Sequence, residues 1–179
     1  MHINTKQTIY TLLVCFLLIG CGGRGPQRPS QRSGSVKTED STVIAMVELN
    51  QRLAMAADDA VLRYVSEKED ITHFAQMPFS NAWVRIIDKG DETRETPKKD
   101  EVWTIHIKTY SLEGKMLIDS EQAYRIGRNE LPMCVELIIT EWHHGTKAIM
   151  VAPWYAAYGM LGTAEIGAYE NVLLEITVR

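Results

Sequence analysis

The sequence predicts an α+β fold in which one antiparallel sheet curls around a central helix, with a helical extension before it. Residues 101–112 alternate apolar and polar side chains, as a half-buried strand does. Glu113-Gly114-Lys115 then has the composition of a hairpin turn, which joins antiparallel neighbours. Residues 131–142 form a mostly apolar helical stretch, and a single apolar helix among strands is buried most simply against their sheet.

The central helix is predicted to bury one face. Leu131, Val135, Ile138 and Trp142 share that face at three- and four-residue spacing. Gly145 fits the left-handed position that follows a helix. Further strands are predicted at residues 82–88, 116–118, 122–126, 146–151 and 171–178.

Charge and cysteine usage exclude several classes of protein. A length of 179 residues fits one domain with extensions, and a net charge of −4 gives no basis for nucleic-acid binding. Cys15 and Cys21 lie in or at the end of an apolar leader, so Cys134 has no partner in a processed chain. A disulfide-stapled scaffold is therefore excluded, and Cys134 is interpreted as a small core residue.

No metal or cofactor is predicted. Glu141, His143 and His144 lie close together in the sequence. Adjacent histidines on a helix point to different faces, however, and no fourth ligand is evident for a tetrahedral site.

The N-terminus has the pattern of a targeting segment. Residues 9–20 are almost continuously apolar but too short to cross a bilayer, which takes about 20 residues, and they suit a secretory leader. The run ends in Leu18-Ile19-Gly20-Cys21, which resembles a bacterial lipobox. The resemblance implies that Cys21 carries a diacylglycerol thioether, whose two chains suffice for stable anchoring. The alternative is an ordinary signal peptide with a chance cysteine at its border.

The chain is accordingly divided into four segments. Residues 1–20 are the lipoprotein signal peptide, 21–40 a lipidated flexible tether rich in Gly, Pro and Ser, 41–81 a helical extension and 82–179 the globular domain. The extension contains a helix over residues 41–68 whose apolar stripe packs either on its own domain, which is the simpler interpretation, or on a second copy. The stripe consists of Met46, Leu49, Leu53, Ala56 or Ala57, Ala60 and Tyr64.

Residues 82–179 also resemble the FKBP-type peptidyl-prolyl cis-trans isomerases, especially lipid-anchored ones of Bacteroidetes that include gliding-motility-associated proteins. The matching segments are Gly114-Lys115 followed by Ile118-Asp119-Ser120, Leu131-Pro132 at the start of the helix, Gly145 with Ala148, Ala157-Tyr158-Gly159, and the closing strand 171–178. The resemblance implies an FKBP-like fold and an isomerase that needs no nucleophile, metal or cofactor.

The same resemblance implies which residues form the site. Tyr158 and Asp119 match the tyrosine and aspartate at the rim of the family's cleft, and the tyrosine hydroxyl binds a substrate carbonyl. The substrate-binding residues it implies are Ile107, Ile118, Leu131, Pro132, Val135 and Leu174. Several of these positions carry aromatic residues in the family, so the cleft is expected to be aliphatic here. Proline has no N–H, so Leu131 or Met133 would supply the backbone donor that the family uses near Pro132.

Two functions follow as hypotheses. In the first, the protein is an isomerase that assists the folding of exported, proline-containing clients. It is expected to be lipid-anchored in a bacterial envelope membrane, namely the outer membrane, and to face the periplasm. In the second, a domain of the same fold has weak turnover and serves as a binding module or chaperone-like scaffold for an envelope partner.

Overall fold

The computed structural model describes residues 36–179, with side chains from residue 41 onward. Residues 44–179 form one compact unit. The signal peptide, the tether and Cys21 lie outside the described residues. No helix in the described part of the chain is both long and apolar enough to cross a membrane.

The unit is built on a six-stranded antiparallel sheet, which confirms the α+β class. The sheet order is β1-β2-β5-β6-β3-β4. The helices are α1 (Val36–Lys68) and α2 (Met133–Glu136), with short 3-10 turns at Ile71–His73, Ile139–Glu141 and Trp154–Ala156. The strands are β1 (Ala75–Gln76), β2 (Trp83–Asp88), β3 (Val102–Ser111), β4 (Met116–Arg125), β5 (Lys147–Ala152) and β6 (Val172–Val178).

Strand β3 shows the alternation that the sequence predicts. Ile105, Ile107 and Thr109 are buried on one face, while His106 and Lys108 between them are half-buried on the other. The hairpin partner β4 runs unbroken over ten residues. Two short strands were expected there, but continuous pairing with β3 holds the polar residues between them in the ladder.

The central helix is much shorter than predicted. Only Met133–Glu136 is α-helical, and a 3-10 turn at Ile139–Glu141 follows. Ile138 leaves helical geometry at φ −124° and ψ −15°. The run 138–140 is β-branched and stiff at χ1, which weakens helix propensity there. The expected burial is nonetheless largely met, because Leu131, Val135 and Trp142 are buried.

Through Val61 and Val65, helix α1 covers the face of the sheet opposite the central segment. Val61 and Val65 have no exposed surface and pack with Phe74 and Val151. Met150, the neighbour of Val151 on β5, belongs instead to the main core with the central segment. The sheet is therefore covered on both faces.

Only part of the predicted stripe on α1 packs on the chain's own unit. Ala57 is buried, and Leu53, Ala60 and Tyr64 are half-buried. Met46 and Leu49 are more than half exposed. The boundary drawn at residue 82 stays a prediction, although Phe74 already packs in the cluster beneath α1.

Candidate functional site

A cavity of about 680 Å³ opens between β3, β4, the segment before α2 and the loop that follows Tyr158. Six of the eight site residues implied by the family resemblance line it: Ile107, Ile118, Asp119, Leu131, Pro132 and Tyr158. The remaining lining residues are Leu117, Ser120, Gln122, Tyr124, Asn129, Glu130, Ala157, Thr163 and Glu165.

Val135 and Leu174 do not line the cavity. Both have no exposed surface and belong to the main core. Leu174 pairs with Met150 and Thr109 in the middle of the sheet, and Val135 lies in α2. A substrate in the cavity could reach neither side chain without opening the core, so both leave the candidate site.

Tyr158 is held at the cavity by the turn before it. A 3-10 turn covers Trp154–Ala156, and Gly159 N–H donates to the Trp154 carbonyl over 2.8 Å. Gly159 has φ +77°, a conformation that suits glycine. The Tyr158 hydroxyl lies 2.8 Å from that of Thr109. Burial raises the pKa of Tyr158 to about 12, although the Thr109 hydrogen bond acts in the opposite direction. Tyr158 is therefore a neutral phenol, able to donate a proton, at neutral pH.

Asp119 borders the cavity, but its carboxylate is engaged elsewhere. His106 Nε2 lies 2.6 Å from Asp119 Oδ1, and Lys108 Nζ lies 4.0 Å from Oδ2. The register pairs Asp119 with Lys108 and Ser120 with Ile107. The side chains of Asp119 and Ser120 therefore point to opposite faces of the sheet, and the Asp119 side chain shares a face with Lys108. The structure thus does not bring the Asp119 carboxylate together with the Tyr158 hydroxyl.

The backbone near Pro132 distinguishes the two expected donors. Met133 N–H donates to the Ala157 carbonyl at 3.4 Å and so helps to join the segment before α2 to the Tyr158 loop. No residue in the described part of the chain accepts a hydrogen bond from Leu131 N–H. Leu131 is therefore the better candidate for a donor to a bound peptide.

The loop after Tyr158 forms one wall of the cavity through its own hydrogen bonds. Thr163 N–H donates to the Ile166 carbonyl over 2.9 Å, and the Thr163 hydroxyl accepts from the N–H groups of Glu165 and Ile166 at 3.2 Å each. Gly162 has φ +65°, and a Cβ there would lie 2.2 Å from the Ile166 oxygen. This loop closes only with glycine at that position.

The charged residues on the cavity wall are all acidic. They are Asp119, Glu130 and Glu165, and none of the lining residues, which all belong to the described part of the chain, is Lys, Arg or His. Glu130 accepts from Arg125 N–H at 2.7 Å. Because the Asp119 carboxylate contacts His106 and Lys108, Glu130 and Glu165 are the acidic side chains left at the cavity.

Sequence reasoning missed two residues of the site, Thr109 and Tyr124. Thr109 has no exposed surface, and a polar residue at an inward position of an alternating strand was the available signal for it. Tyr124 also lines the cavity, as does Gln122, which lies two residues before it on β4. Trp154 and Tyr155 precede Tyr158 but do not line this cavity, and the Tyr155 hydroxyl donates to Asp58 of α1.

Comparison with solved structures identifies the class of fold. The chain has an FKBP-like fold, which it shares with the two solved structures described next. A peptidyl-prolyl cis-trans isomerase from Pseudomonas syringae pv. tomato matches with a TM-score of 0.57 at 16% identity, over 70% of this chain and 92% of that one. FkpA from Escherichia coli matches with a TM-score of 0.58 at 13% identity, over 99% of this chain and 82% of that one.

The sequence itself matches no family model and no curated protein. At 13–16% identity the structural likeness shows the fold alone. The role of each residue therefore rests on the geometry of this chain.

Proposed function

We propose that this protein is a peptidyl-prolyl cis-trans isomerase acting on proline-containing segments of polypeptides. One observation carries the proposal: a neutral phenol, Tyr158, is held at a cavity whose wall also contains Ile107, Ile118, Leu131 and Pro132. The FKBP-like fold supports it.

The reaction demands little of the protein chemically. Rotation about an X-Pro bond has a barrier of about 18–20 kcal/mol, because the planar amide gains resonance and charge separation that the twisted amide lacks. Where aliphatic side chains of the wall contact the amide, they disfavour the more polar planar form, since they solvate separated charge poorly. No covalent bond forms or breaks, and no group with a depressed pKa is required.

Hydrogen-bond donors hold the peptide while its bond turns. Tyr158 donates its phenolic proton to a substrate carbonyl, and Leu131 N–H is the backbone donor for a second one. Interactions of this kind accelerate rotation to the extent that they are stronger in the twisted state than in either planar isomer.

Tyr158→Phe is expected to reduce kcat/KM in a protease-coupled assay on a proline tetrapeptide. Loss of one hydrogen bond of about 1–3 kcal/mol corresponds to roughly 5- to 150-fold. Tyr110→Phe is the matched control, because its hydroxyl contacts Glu175 at 3.4 Å and the residue does not line the cavity. Equal rates for the wild type and Tyr158→Phe would contradict the assigned role of Tyr158.

The second candidate is a binding module with little or no turnover. It is favoured by the aliphatic residues Ile107, Leu117, Ile118 and Leu131, which supply much of the apolar contact on the cavity wall, where Tyr124 and Tyr158 are the aromatic residues. A wild type that binds a proline peptide without isomerising it, with binding weakened in Tyr158→Phe, would establish this function. Absence of both activities would exclude both candidates.

The site of action is proposed to be a bacterial envelope membrane, with the protein lipid-anchored through Cys21 and its clients exported polypeptides. The apolar run 9–20 and the ending Leu18-Ile19-Gly20-Cys21 support this proposal. The resemblance to lipid-anchored Bacteroidetes proteins of gliding motility supports it as well.

Cys21→Ser is expected to abolish incorporation of a labelled fatty acid and to move the protein out of the detergent phase, because the thiol that accepts the lipid is gone. Cys15→Ser is the matched control, since Cys15 lies within the same leader and is expected to leave labelling unchanged. Continued labelling of Cys21→Ser would show that the lipobox interpretation is wrong.

A further inference from the structure

The buried hydroxyl of Thr109 is hydrogen-bonded to the hydroxyl of Tyr158. Thr109 has no exposed surface, and the two oxygens are 2.8 Å apart. Its partners across the sheet are Ile118 on β4 and Leu174 on β6, neither of which has a polar side-chain atom. Within the described chain, Tyr158 is the only side chain to which the Thr109 hydroxyl is hydrogen-bonded.

The direction of this hydrogen bond decides what Tyr158 can do. Each hydroxyl has one proton to donate. If Tyr158 donates to Thr109, its proton points away from the cavity and cannot reach a substrate carbonyl. If Thr109 donates, the Tyr158 oxygen accepts and its own proton is free to point into the cavity.

We propose that Thr109 is a positioning residue for the isomerase site: its hydroxyl donates to Tyr158 and thereby directs the Tyr158 proton toward a substrate carbonyl. The inference rests on the proposed function. A bound carbonyl selects this direction, because the chain Thr109 to Tyr158 to carbonyl makes two hydrogen bonds where the reverse direction makes one. Successive hydrogen bonds in one direction also polarise each other, which strengthens the bond to the substrate.

The Tyr158 hydroxyl explains why threonine can occupy this buried place. Thr109 pairs with Ile118, and the next pair is Tyr110 with Met116, so the register shifts immediately after Thr109. The inward positions before it are filled by Ile105 and Ile107. A buried hydroxyl at the third inward position would cost free energy unless it had a partner, and Tyr158 supplies that partner.

The test compares Thr109→Val, which keeps the shape and removes the hydroxyl, with Thr109→Ser, which keeps the hydroxyl. In the peptide assay, Thr109→Val is expected to lower kcat/KM roughly 2- to 10-fold, the range for a neutral hydrogen bond. Thr109→Ser is expected to stay close to wild type. Thr104→Val is the matched control, because Thr104 is exposed on the same strand and does not line the cavity.

A double-mutant cycle separates this role from a general structural one. In a Tyr158→Phe background no phenolic proton remains to be directed, so Thr109→Val is expected to have no further effect on kcat/KM. An equal loss in both backgrounds, or no rescue by Thr109→Ser, would overturn the inference. If Thr109→Val does not fold, the comparison of Thr109→Ser with Thr109→Ala in both backgrounds gives the same decision.

The two proposals fail in different ways. An active wild type whose rate is unchanged by Thr109→Val overturns the positioning role alone. A wild type without turnover overturns the isomerase function, and the cycle is then decided by peptide affinity, where the same pattern of loss, rescue and coupling is expected. A wild type with neither turnover nor affinity overturns both proposals.

Discussion

Trp142→Ala is expected to lower the free energy of unfolding by about 3–5 kcal/mol, the range for removing a large buried aromatic side chain. Trp142 is 4% exposed and belongs to the main core that covers one face of the sheet. It also ends the central segment, where the backbone N–H of Trp142 donates to the Ile139 carbonyl over 3.1 Å. The substitution therefore leaves a cavity at the end of that segment.

Urea unfolding followed by far-UV circular dichroism measures this loss without relying on the indole that the substitution removes. Leu161→Ala is the surface control, because Leu161 is 84% exposed and its truncation is expected to change stability by less than about 0.5 kcal/mol. A loss under about 1 kcal/mol for Trp142→Ala would mean that the indole is not buried as the structure shows.

Val61→Asp is expected to cost at least about 3 kcal/mol, because it places a carboxylate among apolar side chains. Val61 has no exposed surface and packs with Val65, Phe74 and Val151 between α1 and the sheet. Either the whole unit loses stability or α1 detaches from the sheet. Hydrogen exchange distinguishes these outcomes, since detachment removes protection from α1 while β3 and β6 keep theirs.

Leu62→Asp is the matched control for Val61→Asp, one residue along the same helix. Leu62 is 44% exposed, so its replacement is expected to cost less than about 1 kcal/mol, mostly through helix propensity. Equal losses for the two variants would show that α1 does not pack on the sheet through Val61. A large loss for Val61→Asp and a small one for Leu62→Asp would show that α1 stabilises the sheet. A fragment starting at residue 82 would then lack the helix that covers this face.

The strands could be predicted from the sequence because their signal is local. In β3, side chains two residues apart share a face, so Ile105 and Ile107 indicate both the element and its buried side. The length of the central helix could not be predicted in the same way. Periodicity indicated the burial of Leu131, Val135 and Trp142 but not that of Cys134 and Ile139, and a 3-10 turn at Ile139–Glu141 buries Trp142 as well as an α-helix would.

The candidate site was predictable where it depends on a short motif and unpredictable where it depends on long-range geometry. Ala157-Tyr158-Gly159 indicated Tyr158. The contact with Thr109 joins residues 49 positions apart, and no local pattern reports it. The direction of the Asp119 carboxylate depends on the pairing of β3 with β4, where a shift of one residue reverses the face.

The loop that follows Tyr158 is closed by its own backbone and by Gly162, and Ile166 packs it into the main core. Leu161, Thr163 and Glu165 on this loop are exposed, and the latter two border the cavity. The side chains of Leu161 and Glu165 can be exchanged without repacking the sheet, provided that Gly162 and the Thr163 hydroxyl are kept. One short surface segment can therefore diverge among descendants of this protein and change the wall of the cavity, while the rest of the molecule is inherited unaltered.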